Sequence, residues 1–247
     1  MEKRTDKNSY TILFAIGMVL VVGSILAFAA SGLKDKIDEN KRIEKQQNIL
    51  YAMGVNDNEE GSMAFISTDV VADEFSKYIK KQLVIENGKA TEDVNAYLID
   101  VKKEITKGKD GGVRRLPLFV GEKDGKTFYI APIRGKGLWD AIWGFVAMDK
   151  DMVVQGVFFD HKGETAGLGA NINKRFFMDD FIGEKLNHDG RFMGITVAKG
   201  NNDPLNKRKE DNKVDAIAGA TITGDGVSAM LKSELKLYAP YFKTLEN

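Results

Sequence analysis

The sequence holds 247 residues, with 36 lysines and arginines against 36 aspartates and glutamates, no cysteine and two histidines. Balanced charge argues against a nucleic-acid binder, which carries a basic excess. The missing cysteine excludes disulfides, thiolate-ligated iron–sulfur clusters and a covalent c-type haem. His161 and His188, far apart in sequence, argue against a histidine-rich metal site. Any redox chemistry then has to come from an organic cofactor.

Lys3, Arg4 and Lys7 punctuate a short tail, 1–9, and Tyr10 to Ala30 follows without a charged side chain. About 21 apolar residues in a helix reach across the roughly 30 Å of hydrocarbon in a bilayer. Ala27-Phe28-Ala29 matches an A-x-A cleavage site, but the apolar run is longer than the roughly 7–15 residues of a signal-peptide core. A retained anchor is the expectation. Lys34, Lys36, Lys41, Arg42 and Lys45 follow the span, interleaved with Asp35, Asp38, Glu39 and Glu44, so a strict count of positive charge does not place the N-terminus inside; the reading leans to a cytoplasmic tail on the translocation of long domains. With no ionisable group in the span, this helix is an anchor or packing partner and not an ion path.

Residues 33 to 53 read as a charged helix with a thin apolar stripe, Leu33, Ile37, Ile43, Leu50 and Met53, and Gly54 to Met63 as an acidic turn. Val71, Phe75, Tyr78, Ile79 and Leu83 recur at helical spacing, predicting a helix over 69–84. A weaker helical pattern runs over 91–106. From Leu116 the character changes. Leu116 to Val120 and Thr127 to Ala131 flank a hairpin turn containing Asp124-Gly125, and Gly144 to Met148 and Val153 to Phe159 form a second strand pair. Residues 173–182 read as a short helix around Phe176, Phe177 and Phe181, and Gly194 to Ala198 as a last strand ending at Lys199-Gly200. Strands and helices are mixed instead of alternating, so the fold class is α+β: one transmembrane helix (10–30), a helical part of the outer domain (31–115), and a mainly antiparallel sheet with flanking helices (116–247).

Three loops carry chemistry. Gly135-Lys136-Gly137-Leu138-Trp139 presents an aromatic between glycines, a plain connector or a place where backbone approaches a ligand while a ring covers it. His161-Lys162-Gly163-Glu164-Thr165-Ala166-Gly167-Leu168-Gly169 is a polar cradle whose N–H groups and Thr165 hydroxyl suit the edge of a planar heterocycle. It is neither a dinucleotide fingerprint nor a P-loop. Asp215 to Gly226 is a glycine-punctuated turn with Thr221 and Thr223, followed by a helical run through Val227, Met230, Leu231, Leu235 and Tyr238. The pattern places Thr223 just ahead of a helix N-terminus, where an anion is stabilised. Its plain alternative is an N-cap by Thr221, Thr223 or Asp225.

Anchor, HKGETAGLG loop and AGATIT turn together resemble the family of FMN-binding domains, here the C subunits of sodium-translocating NADH:quinone reductases, and more distantly the G subunits of Rnf electron-transport complexes. The resemblance spans essentially the whole chain and is densest over 135–144, 161–169, 196–200 and 214–227. It implies FMN joined through its phosphate to the last hydroxyl residue of an S/T-G-A-T-x-T pattern, which is Thr223 here. Two positions depart from the pattern: Ala218 replaces the first serine or threonine, and Ala166 replaces a proline in the cradle. Neither removes the acceptor hydroxyl.

Thr223 as covalent site, with Gly219, Ala220, Thr221, Leu138, Trp139, Glu164, Thr165, Leu168, Gly169 and Lys199 as cofactor contacts, is the site so implied, without a catalytic or metal-ligating residue. The implied function is electron relay through that FMN in a membrane complex of six subunits that oxidises NADH, reduces ubiquinone and exports Na⁺. A flavin transferase would install the group from FAD. The implied location is a bacterial inner membrane, crossed once, with the main domain on the periplasmic side. The G subunit of an Rnf-type complex is one alternative, and an anchored ligand-binding module without electron transfer is the other.

Overall fold

The computed structural model describes residues 8–59, 62–203 and 205–245. Most of the expected tail, 1–9, therefore lies outside the described residues. The chain divides between Glu44 and Lys45 into two units.

The first unit contains α1 (Asn8–Gly32) and the start of α2 (Lys34–Ala52). All 25 residues of α1 are exposed, and a helix of that length passes the roughly 30 Å of a bilayer core. It is the one helix among the described residues long and apolar enough to cross a membrane, and it fits a single-pass anchor. Leu33 N–H donates to Ala29 O at 3.0 Å and Ile37 N–H to Leu33 O at 2.9 Å, so helical bonding runs on into α2. Its charged first half is exposed, with Arg42 paired to Glu39.

The second unit is built on a six-stranded antiparallel sheet in the order β2-β1-β3-β4-β5-β6. The strands are β1 (Ile79–Glu86), β2 (Lys89–Glu92), β3 (Leu116–Lys123), β4 (Lys126–Lys136), β5 (Ala141–Met148) and β6 (Val154–His161). The β3–β4 turn is Asp124-Gly125, with φ +51° and +74°. Two positive φ values match the right-handed strand twist of a tight hairpin. Asn87-Gly88 joins β1 to β2 in the same way, with φ +50° and +78°.

That second hairpin corrects the helix expected over 69–84. Only α3 (Val71–Tyr78) is helical, and from Ile79 the chain runs as β1. Ile79 and Leu83 sit four apart, a helical spacing, yet Leu83 pairs with Leu118 of β3 and Val84 with Pro117. Cross-strand pairing outweighs local periodicity here. The stretch 91–106 likewise splits into the end of β2, a turn of 3₁₀ helix (Ala96–Leu98) and α4 (Val101–Lys109), which Asp100 caps by accepting from the N–H groups of Lys102 and Lys103. Segment 31–115, expected to be helical, thus supplies two strands of the sheet.

Beyond β6, α5 (Arg175–Met178) and its flanking 3₁₀ turns bury Phe177 and Phe181 against Phe159, with ring centroids 5.1–6.2 Å apart. Two short strands, β7 (Asn187–His188) and β8 (Arg191–Phe192), form a small ribbon. Then β9 (Thr196–Ala198) pairs in parallel with β10 (Lys213–Asp215), two strands joined across the charged segment between them. The chain ends in α6 (Thr221–Leu235) and α7 (Ala239–Phe242).

Helix α6 lies close on the end of β4 and on β9. A Cβ on Gly226 would meet the Lys136 carbonyl oxygen at 2.4 Å, and one on Gly224 would meet Val197 Cγ1 at 3.0 Å. Glycine inside a helix costs about 1 kcal/mol against alanine, and here it permits contact that no larger residue allows. Val197 N–H donates to Ser228 Oγ at 2.9 Å, tying helix to strand. The Arg114 guanidinium grips Glu234 of the same helix at 2.6 and 3.1 Å.

Candidate functional site

The first turn of α6 forms one wall of a cleft of about 230 Å³, lined by Leu138, Glu164, Thr165, Leu168, Gly169, Gly219, Ala220, Thr221, Ile222 and Thr223. The glycine-punctuated turn therefore starts the helix two residues earlier than Thr223. The expectation that Thr223 precedes the helix needs correcting: the helix begins at Thr221, and Thr223 is its third residue. Gly224 and Gly226 read as loop in sequence because isolated glycines disfavour helix; packing against β4 and β9 overrides that preference.

The N-cap residue is Ala220, whose side chain caps nothing. Nor does Thr223 cap the helix, since its hydroxyl donates to Glu164 Oε2 at 2.5 Å. The first N–H groups of an α-helix have no acceptor within the helix. At α6 they stand without a side-chain cap at the rim of a cleft, where the helix dipole favours an anion.

Glu164 joins the three loops. Its carboxylate is buried, 7% exposed. Besides the Thr223 hydroxyl it accepts the Trp139 N–H at Oε1, 2.9 Å away, and the nearby backbone N–H groups of Leu138 and Asp140 add to the favourable field at the carboxylate. Burial pushes its proton affinity up; the Thr223 hydroxyl and the three N–H donors outweigh burial and hold the carboxyl below its ordinary range. Glu164 is thus an anion at neutral pH that clamps the 137–140 loop with one oxygen and Thr223 with the other.

Two glycines make room for this clamp. A Cβ on Gly137 would sit 2.6 Å from Glu164 Oε1; one on Gly169 would sit 2.5 Å from Thr223 Oγ1 and 2.7 Å from Glu164 Oε2. Gly219, at φ +73°, brings the turn before α6 within 2.9 Å of Leu168 Cδ2 by the same measure. Around the opening stand Leu138, Leu168, Ile222 and Trp139, all exposed. The Trp139 indole Nε1–H donates to Thr165 Oγ1 at 3.1 Å, and Lys162 Nζ pairs with Asp140 at 2.9 Å.

Of the residues singled out in the sequence, Leu138, Glu164, Thr165, Leu168, Gly169, Gly219, Ala220, Thr221 and Thr223 line one cleft. Trp139 stands at its edge through Thr165. Lys199 does not line it; its side chain is exposed in the turn after β9. Ile222 was missed. It reads as a spacer between two threonines, and only the turn of the helix brings it to the rim.

The site fits a phosphate-bearing planar ligand: uncapped helical N–H groups for the anion, glycines for close approach and apolar side chains at the rim. At about 230 Å³, the cleft falls below the roughly 300–1,000 Å³ of pockets that enclose drug-sized ligands.

The FMN-binding domain family model matches residues 137–236, from the Gly137 loop to the end of α6. The C subunit of the Na⁺-translocating NADH-quinone reductase of Vibrio alginolyticus is 30% identical over 245 residues, covering 92% of this chain and 90% of the relative. The corresponding C subunit of Yersinia pestis is 32% identical over 246 residues, covering 91% and 87%. Among solved structures, the C subunit from Parabacteroides distasonis aligns with a TM-score of 0.72 at 31% identity, over 85% of this chain and 96% of that one.

Proposed function

The chain belongs to the C subunits of the Na⁺-translocating NADH-quinone reductases, and from that membership we propose that its FMN is esterified through phosphate to Thr223 and relays electrons between neighbouring redox centres. The observation that carries this reading is the Thr223 hydroxyl, held in the cleft at an uncapped helix N-terminus. A phosphodiester there would meet the free N–H groups of the first turn. Thr165 and Trp139 would border the ring system, with Leu138, Leu168 and Ile222 against its faces. The flavin supplies the electron-carrying chemistry; the protein supplies place and electrostatics.

A tether fits the small cleft. A site that encloses a ligand only in part gives limited affinity, and a covalent link makes retention independent of it. As part of the same proposal, a separate flavin transferase installs the group from FAD, and the complex reduces ubiquinone and exports Na⁺ across a bacterial inner membrane. Na⁺ crosses in partner subunits, because α1 carries no ionisable side chain between Tyr10 and Ala30. The cofactor domain then stands on the periplasmic side.

Intact mass after co-expression with a flavin transferase tests the reading. The expected result is a gain of one FMN phosphodiester, with flavin fluorescence that survives a denaturing gel. Thr223→Val abolishes both and Thr221→Val keeps both. Covalent flavin persisting in Thr223→Val would reject the assignment.

A further inference from the structure

Two threonines stand in the first turn of α6, and the structure treats them differently. The Thr221 hydroxyl, half-buried, makes no side-chain hydrogen bond among the described residues, whereas Thr223 donates its proton to a buried carboxylate at 2.5 Å. Glu164 is fixed independently of that contact. The Trp139 N–H holds its Oε1 at 2.9 Å, with the Leu138 and Asp140 N–H groups nearby, and the Glu164 N–H donates to His161 Nδ1 at 3.2 Å. Gly169 leaves the space in which Oε2 and Oγ1 meet. A stability role needs only the loop clamp at Oε1. The contact at Oε2 falls on the one oxygen that the proposed modification esterifies.

We propose that Glu164 is a catalytic residue of flavin attachment, which selects Thr223 over Thr221 and accepts its proton as the ester forms. This rests on the Thr223 reading above. In the step, Oγ1 attacks the flavin-side phosphorus of a flavin–adenine dinucleotide presented by the transferase. The Oγ1–P bond forms, the P–O bond to the adenylate breaks, and AMP leaves with the bonding electrons. The threonine proton passes to Glu164 Oε2 and from there to solvent. Nothing is oxidised or reduced.

A carboxylate with low proton affinity suits this task. The carboxylate orients the attacking hydroxyl and accepts its proton, the purpose an aspartate serves in protein kinases. Its ionised state at neutral pH, secured by four donors, keeps it ready. The arrangement also explains how a nearly buried hydroxyl, 1% exposed, serves as nucleophile: it lines the cleft through which phosphorus must arrive.

The test uses full-length apo-protein in detergent, a flavin transferase and FAD, followed by intact mass and in-gel fluorescence over time and pH. Glu164→Gln keeps an oxygen for the loop N–H groups but presents an amide donor to Thr223. Expected are a transfer rate reduced about 100-fold with unchanged KM for the acceptor protein, and partial recovery in Glu164→Asp. The wild-type rate falls as pH drops through the Glu164 pKa, and that acid limb is absent in Glu164→Gln. Thermal unfolding followed by Trp fluorescence establishes that each variant is folded at the assay temperature; if Glu164→Gln is not, Glu164→Asp decides by its rate and the position of its acid limb. Transfer at the wild-type rate in a folded Glu164 variant, or a slower rate with the wild-type acid limb intact in Glu164→Gln, overturns the proposal and leaves the Thr223 reading standing. Absence of flavin mass in the wild type, or its appearance on another residue, overturns both.

Discussion

Glu164 and Glu184 are both buried glutamates, at 7% and 0% exposure, and their proton affinities are shifted in opposite directions. Glu164 meets a hydroxyl and three N–H donors, which hold it ionised. For Glu184, burial pushes the pKa up from 4.5 to about 7. Asn206 Nδ2 donates to its Oε1 at 3.2 Å, but among the described residues Oε2 has no partner, nor has Asn206 Oδ1. Lys209 lowers the pKa of Glu184, whereas Asp203 and Asp211 raise it. Burial sets the penalty on charge; the number of donors decides whether it is met. The region with more donors is the cleft at α6, and the one with a single amide donor ties a charged loop to the turn after α5.

The largest effect expected on this contrast comes from Glu164→Ala. It leaves the Thr223 hydroxyl and the Trp139 N–H without their acceptor, and lowers the unfolding free energy by roughly 3 kcal/mol. Urea denaturation followed by tryptophan fluorescence measures it; an unchanged midpoint breaks the comparison.

Glu184→Gln acts in the other direction. A carboxyl whose folded pKa lies above its unfolded value binds more protons folded than unfolded, so stability falls as pH rises from 4.5 to about 7 and then levels off. The glutamine variant lacks this decline and gains about 3 kcal/mol over wild type above pH 7. Parallel pH–stability curves for the two proteins would refute it.

Glu164 has the opposite sign. Its folded pKa is depressed, so its contribution is present above its unfolded value and is lost as pH falls through the folded one. Glu164→Gln therefore flattens the acid side of the curve, where Glu184→Gln changes little. The smallest effect belongs to Thr165→Val, which removes an exposed partner of the Trp139 indole. It costs about 0.5 kcal/mol, with a visible change in tryptophan emission; identical spectra would place Trp139 free of Thr165.

The sequence was legible where local chemistry decides the structure. Asp124-Gly125 marks a hairpin because both residues accept positive φ, and the alternating strands beside it follow. Asn87-Gly88 carries the same mark, but Val71 to Leu83 at helical spacing hid β1, whose state is set by β3. The strand β10 has one apolar residue, Val214, and only its parallel partner makes it a strand. Thr223 and Glu164 could each be picked out. Their contact could not, because 59 residues separate them, and the donors that fix Glu164 are backbone groups without a side-chain signature.

The order of strands in the sheet has a consequence for when the cleft comes into being. From β3 to β6 each strand pairs with the next in the chain; β1 joins β3 across the longer segment that holds β2 and α4. Such contacts are local and close early. Thr223 reaches Glu164 only when α6, near the C-terminus, docks on the finished sheet. During synthesis the scaffold can thus be complete before Thr223 has left the ribosome, and the cleft is assembled last. A truncation ahead of α6 would be expected to leave a folded sheet without the cleft.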